Sequence, residues 1–236
     1  MKKLVLIGGG DVGRGNTSYE TDVIDRKIVE LTNKANPNFL FIGLASSFSD
    51  SYYDTMKKIY KDLGCTCAYL KKKNILNNRD IVEKKITDAD IIYFCGGDTI
   101  KLVNDLKEYD LVSLLKNAYD SGTVLVGMSA GAIMLSKEGY SDSLMLRDEA
   151  DKYTFIEGLN FIDIVICPHY NDISKKKELK EDLVNTNKKV YALDNGTALI
   201  SIDNDISFIS SKNNSNAYLV YYSKDGYKAV SYTHLR

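Results

Sequence analysis

With 236 residues, 44% of them hydrophobic and 27% charged, the chain can bury one large core, and its formal charge of −1 gives no net attraction to nucleic acid or an anionic membrane. No apolar stretch is long enough to span a bilayer, and Met1-Lys2-Lys3-Leu4 leads straight into a strand. The expectation is a cytoplasmic protein with no nucleic-acid or membrane partner.

Taken in chain order, short apolar runs at 3–8, 39–45, 90–95, 123–127 and 162–167 read as strands buried on both faces of a mainly parallel sheet. Helical spacing separates them at 21–33, where Val23, Ile24, Ile28 and Leu31 recur, and at 52–63, 99–107, 110–120 and 173–186. This alternation predicts an α/β chain folded as a three-layer α/β/α sandwich. After residue 188 come strand-like pieces at 189–193, 197–202, 206–210 and 217–222. Asp-Asn-Gly, Asp-Asn-Asp and Asn-Asn-Ser-Asn divide them, as expected of antiparallel hairpins closing one edge. There is no linker or repeat, so residues 1–229 read as one domain. Residues 230–236 read as a tail foreign to the fold, which takes His234 with it and leaves His169 as the single histidine of the domain. The four cysteines, Cys65, Cys67, Cys95 and Cys167, form no C-x-x-C pair and read as reduced structural thiols. No His, Cys and carboxylate cluster has metal-ligand spacing, so neither metal nor cofactor is expected.

The chemistry concentrates at Gly127-Met-Ser-Ala-Gly131, a G-x-S-x-G string between an apolar run and a helical segment. Small residues let the backbone turn sharply from strand to helix and push the serine out of the sheet, which makes Ser129 the candidate nucleophile. A serine hydroxyl needs a base to take its proton, and imidazole suits that task near neutral pH. His169, in Cys167-Pro-His-Tyr170, follows a buried strand at the edge where an elbow would place Ser129. The group that orients the imidazole is Asp194 by preference, with Asp142 and Asn195 as alternatives; Asp before Asn-Gly is also ordinary turn chemistry. The Ala130 amide is one oxyanion donor, and Gly97, in Phe94-Cys-Gly-Gly-Asp-Thr99, is the candidate for the second. Gly10, Asp98 and Thr99 are candidates to line the substrate pocket, and Asp98 or Thr99 can also cap the following helix.

Together with Ile7-Gly-Gly-Gly10, Glu20-Thr21, Ala45-Ser-Ser47 and Leu193-Asp-Asn-Gly-Thr197, these motifs occur in an order that resembles the peptidase E and cyanophycinase family of serine peptidases. The length is similar to that of its dipeptidase branch. The resemblance implies a class I glutamine amidotransferase-like fold and hydrolysis of small peptides through an acyl-enzyme. It also implies cleavage after an N-terminal aspartate, or of β-aspartyl linkages in the cyanophycinase branch. Members often carry Glu where this chain has Asn195, and Asn where it has Asp98. A carboxylate at 98 would repel an acidic substrate unless a cation neutralises it. The alternative is a noncatalytic or altered-specificity small-molecule binding protein on the same fold. Gly8-Gly-Gly-Asp-Val-Gly13 also satisfies the G-x-G-x-x-G string of a nucleotide-binding Rossmann protein. Against that reading, Arg14 to Tyr19 delay the helix, and Ala45-Ser-Ser47 offers no acid for a ribose.

Overall fold

In a computed structural model, which describes residues 1–47, 49–184 and 186–232, the first half of the chain alternates as the apolar runs require. It comprises β1 (Lys3–Ile7), α1 (Asp22–Glu30), β2 (Asn38–Ile42), α2 (Ser49–Asp62), β3 (Thr66–Leu70), α3 (Lys72–Asn77), α4 (Arg79–Thr87), β4 (Ile91–Phe94), α5 (Thr99–Glu108), α6 (Val112–Asp120) and β5 (Val124–Met128). The second half comprises α7 (Ala130–Leu135), β6 (Ser136–Ser141), β7 (Thr154–Glu157), β8 (Ile162–Cys167), α8 (Ile173–Asp182), β9 (Val190–Leu193), β10 (Thr197–Ile202), β11 (Asp205–Ser210), β12 (Ala217–Ser223) and β13 (Gly226–Ser231).

Strands β1, β4 and β5 are buried at every position, so their side chains are apolar on both faces. They lie in a seven-stranded sheet of order β11-β10-β1-β5-β4-β2-β3, in which β1 to β5 are parallel and the β10–β11 hairpin closes one edge antiparallel. The expected α/β/α architecture is therefore present, with one addition. A second sheet of six strands, order β13-β12-β9-β8-β6-β7, gathers the later strands, and the β12–β13 hairpin belongs to it. Helix α7 is buried along its whole length and touches both sheets.

Several elements go beyond those the sequence pattern predicts. Strand β3 sits at a sheet edge with mixed exposure, and α3 and α4 bury only Ile75, Val82 and Ile86. Strand β6 carries polar Ser136, Lys137 and Glu138 rather than an apolar run, and β7 is four residues with Thr154 and Glu157 at its ends. Strand β13 crosses the expected boundary at residue 229: Val230 pairs with Leu219, and the Tyr232 amide bonds the Ala217 carbonyl. His234 lies outside the described residues.

The first glycine loop behaves as the delayed helix implies. Val12 and Tyr19 form an isolated bridge, and α1 begins only at Asp22, so no helix N-terminus meets Gly8 to Gly13. The four thiols are unbridged, and burial pushes Cys65, Cys95 and Cys167 up to about 12, where no reactive thiolate forms near neutral pH.

Candidate active site

Ser129 joins β5 to α7 with φ 51° and ψ −107°, a conformation that non-glycine residues rarely adopt and that cores hold only where packing enforces it. The enforcement is visible in the neighbours. A Cβ on Gly127 would meet the Gly131 carbonyl at 2.3 Å, so strand and helix approach each other across hydrogens alone. The Ser129 amide donates to the Ile7 carbonyl at 3.0 Å, which ties the elbow to β1.

His169 arrives from the second sheet, one residue beyond Pro168 after β8, and it too has positive φ, 55°. Its amide donates to the Gly8 carbonyl at 2.7 Å, and the Tyr170 amide to the Leu193 carbonyl at 3.0 Å. The ring is thereby anchored to the loops after β1 and β9. Its Nε2 lies 2.8 Å from Ser129 Oγ and its Nδ1 2.6 Å from Asn195 Oδ1. An amide oxygen only accepts, so Nδ1 carries the proton and the Nε2 lone pair faces the serine hydroxyl. Burial, and after it the positive charge of Lys175, hold the ring below the usual histidine range, while the bond to Asn195 opposes them. The ring is therefore neutral at pH 7, the state a general base requires.

The preferred third residue is corrected by this geometry. Asp194 and Asn195 are adjacent in a turn and face different partners. The Asp194 carboxylate accepts the Asn216 amide at 2.9 Å and joins β9 to the start of β12, and its burial raises its pKa. Asn195 faces the imidazole instead, with its own amide bonded to Asn171 Oδ1 at 2.8 Å. Asp142 makes no hydrogen bond to the ring among the described residues and acts on it only through its charge. Gly9 locks the pair: at φ +132°, a Cβ there would lie 2.3 Å from His169 Cε1 and 2.4 Å from Asn195 Oδ1.

Ala130 opens α7 directly after Ser129, and a Cβ on Gly96 would lie 3.4 Å from Ser129 Cβ. Gly97 follows with φ +141°, packed so that a Cβ would fall 2.2 Å from the Ala45 carbonyl oxygen. Asp98 caps α5 through the Lys101 amide, 3.0 Å, and its second oxygen accepts Arg147 Nε at 2.8 Å. The cation that offsets this carboxylate is Arg147. Thr99 does not line a pocket. It is fully buried, with its amide on Ser143 Oγ and its hydroxyl against Ser141 Oγ, so it fixes the loop after β6. Gly10 sits 3.2 Å, measured from an added Cβ, from the Gly196 amide and belongs to the wall behind the triad. A polar cavity of about 670 Å³ lies there, bordered by Asp11, Glu20, Asn171, Asn195 and Lys212. In the sequence Arg147 stands only beside Arg14, Arg26 and Arg79 as an arginine that could meet a substrate carboxylate, Lys175 only as one of the lysines after His169, and Gly9 only as a member of the glycine loop. Their partners are distant in sequence, and no periodicity marks them.

A neutral imidazole between a serine hydroxyl and an orienting amide oxygen, at a strand-to-helix elbow, is the geometry that nucleophilic hydrolysis requires. Among the described residues no group of His, Cys, Asp and Glu could hold a metal ion, and no helix is long and apolar enough to cross a membrane.

Comparison with known proteins gives this geometry a family. The model of peptidase family S51 matches residues 4–209, and the chain belongs to that family. It is 30% identical over 226 residues to the uncharacterized peptidase YgaJ of Bacillus subtilis (strain 168), covering 93% of this chain and 92% of that one. It is 31% identical over 212 residues to Peptidase E of Actinobacillus pleuropneumoniae serotype 5b (strain L20), covering 84% and 85%. The crystal structure of a peptidase from an acI-B1 Actinobacterium superposes with a TM-score of 0.71 over 98% of this chain and 96% of that one; at 22% identity this likeness speaks for the fold. The protein is a peptidase, serine-type by family and of the dipeptidase E type.

Proposed function

We propose that the protein hydrolyses Asp-X dipeptides through an acyl-enzyme on Ser129. The observation that carries this reading is the continuous chain Ser129 Oγ, His169, Asn195, with contacts of 2.8 and 2.6 Å. His169 Nε2 takes the hydroxyl proton as Ser129 Oγ attacks the scissile carbonyl, and the Ala130 and Gly97 amides receive the developing oxyanion. The imidazolium then protonates the departing amine, leaving an ester on Ser129. A water deprotonated by the same ring hydrolyses that ester and returns the serine. Asn195 fixes the tautomer without adding negative charge. The ion pair to Arg147 offsets the charge of Asp98, so that carboxylate does not exclude an acidic substrate.

A fluorophosphonate probe and a dipeptide panel test this. Wild type should be labelled and should cleave Asp-X in preference to uncharged and β-aspartyl dipeptides, and Ser129→Ala should do neither. Equal turnover of all three classes would remove the aspartyl specificity and leave the peptidase. The neutral Asn195 favours one second reading, a binding protein whose triad lacks the charge to stabilise imidazolium. Absence of labelling, with retained dipeptide binding, would select it.

A further inference from the structure

The Asp98–Arg147 pair follows the paired glycines, the first of which packs against Ser129, and no step of hydrolysis uses its cation. Asp98 comes two residues after Gly96, the glycine that abuts Ser129. Both of its carboxylate oxygens are engaged, one on the Lys101 amide and one on Arg147 Nε, so its orientation is set. Arg147 ends a short 3₁₀ turn, Met145–Arg147, whose base is fixed in turn. Ser143 is fully buried, its hydroxyl accepts the Thr99 amide at 2.8 Å, and the Leu146 amide donates to the Asp142 carbonyl at 2.9 Å. The same loop is tied to the start of α5 through Thr99 and carries Asp142, whose charge is felt by His169.

Asp98 uses one of the five guanidinium N–H groups. Among the described residues no hydrogen bond engages the two Nη groups, and the side chain is 30% exposed. An arginine held from behind through Nε presents its Nη edge as a planar, oriented donor pair, the shape that receives a carboxylate in two parallel bonds. We propose that Arg147, oriented by Asp98, binds a carboxylate of the peptide substrate and sets this enzyme's preference for it. The assignment rests on the peptidase reading above. The carboxylate has two sources in a dipeptide, an acidic first side chain or the free C-terminus.

Two other cations are placed differently. Lys175 is 3% exposed with its ammonium 4.8 Å from the Tyr153 ring centroid, and it has no planar fork. The Arg14 guanidinium lies 4.4 Å over the Tyr52 ring on an exposed loop, with no carboxylate to orient it among the described residues. Both serve as comparison sites.

The test is calorimetric binding of Asp-Leu, Asn-Leu and Asp-leucinamide to Ser129→Ala, which binds without turnover. Arg147→Met, Arg147→Lys, Asp98→Asn, Lys175→Met and Arg14→Met are each added to that background. We expect Asp-Leu to bind about tenfold or more tighter than one of the two neutralised analogues, as a charged hydrogen bond warrants. Asn-Leu as the weaker ligand identifies the side chain; Asp-leucinamide identifies the C-terminus. Arg147→Met should erase the preference, Arg147→Lys should restore part of it, and Asp98→Asn, which keeps the helix cap, should weaken it. Equal binding of the three ligands overturns the assignment, as does a preference that survives Arg147→Met or disappears with Lys175→Met or Arg14→Met alone. Arg147→Lys shows that any loss in the methionine variant is not a failure to fold. Wild type that cleaves no dipeptide, beside an Arg147-dependent preference in the Ser129→Ala background, ends the peptidase reading and leaves the carboxylate site standing. Turnover of Asp-Leu unchanged by Arg147→Met does the reverse.

Discussion

The two ends of the proposed catalytic chain are built on different principles. At Ser129, backbone sterics decide everything: β5 is buried at each position, Gly127 and Gly131 touch, and the serine is held at positive φ. At Asn195, the residue sits in a turn between β9 and β10, and a few polar bonds, to Asn171 and His169, decide where its side chain goes. The first end belongs to the seven-stranded parallel core, and the second joins that core to the six-stranded sheet. A site of this kind gains its precision from the core and its chemical tuning from the turn.

The strongest way to break this division is to push the turn with a backbone wedge. Gly9→Ala places a methyl within 2.4 Å of His169 Nδ1 and Asn195 Oδ1, at φ +132°. The ring must move, and a displacement of an ångström at a reacting group costs about a hundredfold or more in rate. Gly15→Ala, in the same loop at φ +60° with no atom within 4 Å, carries only backbone strain of about 1 kcal/mol and should keep its activity. Turnover and urea midpoints of the two variants separate the site effect from the strain. Equal activities would mean that the glycine loop does not hold the imidazole.

Asn195 sharpens the comparison from the tuning side. Asn195→Ala removes the acceptor that fixes the tautomer and should lower kcat about a hundredfold, the scale of general-base catalysis. Asn195→Asp should act in the opposite direction. Charged hydrogen bonds exceed neutral ones by about 1 to 1.5 kcal/mol, which is about tenfold in rate if the difference is expressed as imidazolium forms. The pH profile follows with a definite sign. His169 works when neutral, and burial lowers its pKa, so the acid limb of the wild type should lie below the usual histidine value. A carboxylate on Nδ1 raises that pKa and should move the limb to higher pH. An Asp variant with an unshifted limb would show that Nδ1 is not the contact that sets the titration.

The same contrast explains what the sequence discloses. Fully buried parallel strands leave continuous apolar runs, and the elbow needs small residues at fixed offsets, so Ser129, its strand and its helix are legible in the order of residues. His169 is legible by scarcity. The second sheet is not: β6 opens on Ser136, Lys137 and Glu138, β7 is four residues with polar ends, and pairing among β6, β8 and β9 joins segments tens of residues apart. Which of two neighbouring turn residues faces the imidazole depends on that pairing, so Asp194 and Asn195 cannot be ranked from turn chemistry alone. Arg147 reaches Asp98 across 49 positions on a loop anchored by buried serines, a contact with no local signature.

One carboxylate in each half, Asp25 and Asp172, sits in an opposite electrostatic regime, and stability against pH resolves them. Asp25, fully buried in α1, accepts the hydroxyls of Tyr19, Thr21 and Tyr60 but has no cation within bonding distance among the described residues. Burial pushes its carboxyl up from the ordinary aspartate range to about 6. Because the folded value lies above the unfolded one, the stability linked to this group is complete below about pH 4 and is lost as pH rises through about 6. The linkage amounts to at most about 3 kcal/mol, at 1.36 kcal/mol per unit. Asp25→Asn should flatten that slope, so urea midpoints at pH 4.5 and 7.5 should differ less than in the wild type. An unchanged slope would remove Asp25 as its source.

Asp172 makes the smallest and opposite case. It caps α8, accepting the Ser174 and Lys175 amides at 2.8 and 3.1 Å and the Ser174 hydroxyl at 2.6 Å. These bonds, led by the Ser174 hydroxyl, hold its carboxyl below the usual range. The cap is therefore fully effective above the ordinary aspartate pKa and is lost as pH falls. Asp172→Ala should cost about 1 kcal/mol at neutral pH, as helix caps do, and the deficit should shrink in acid. Since α8 carries Lys175, whose charge lowers the His169 pKa, a frayed first turn should also let the acid limb of activity drift upward. A deficit that persists in acid would assign the loss to packing of α8 on the second sheet instead of to the cap.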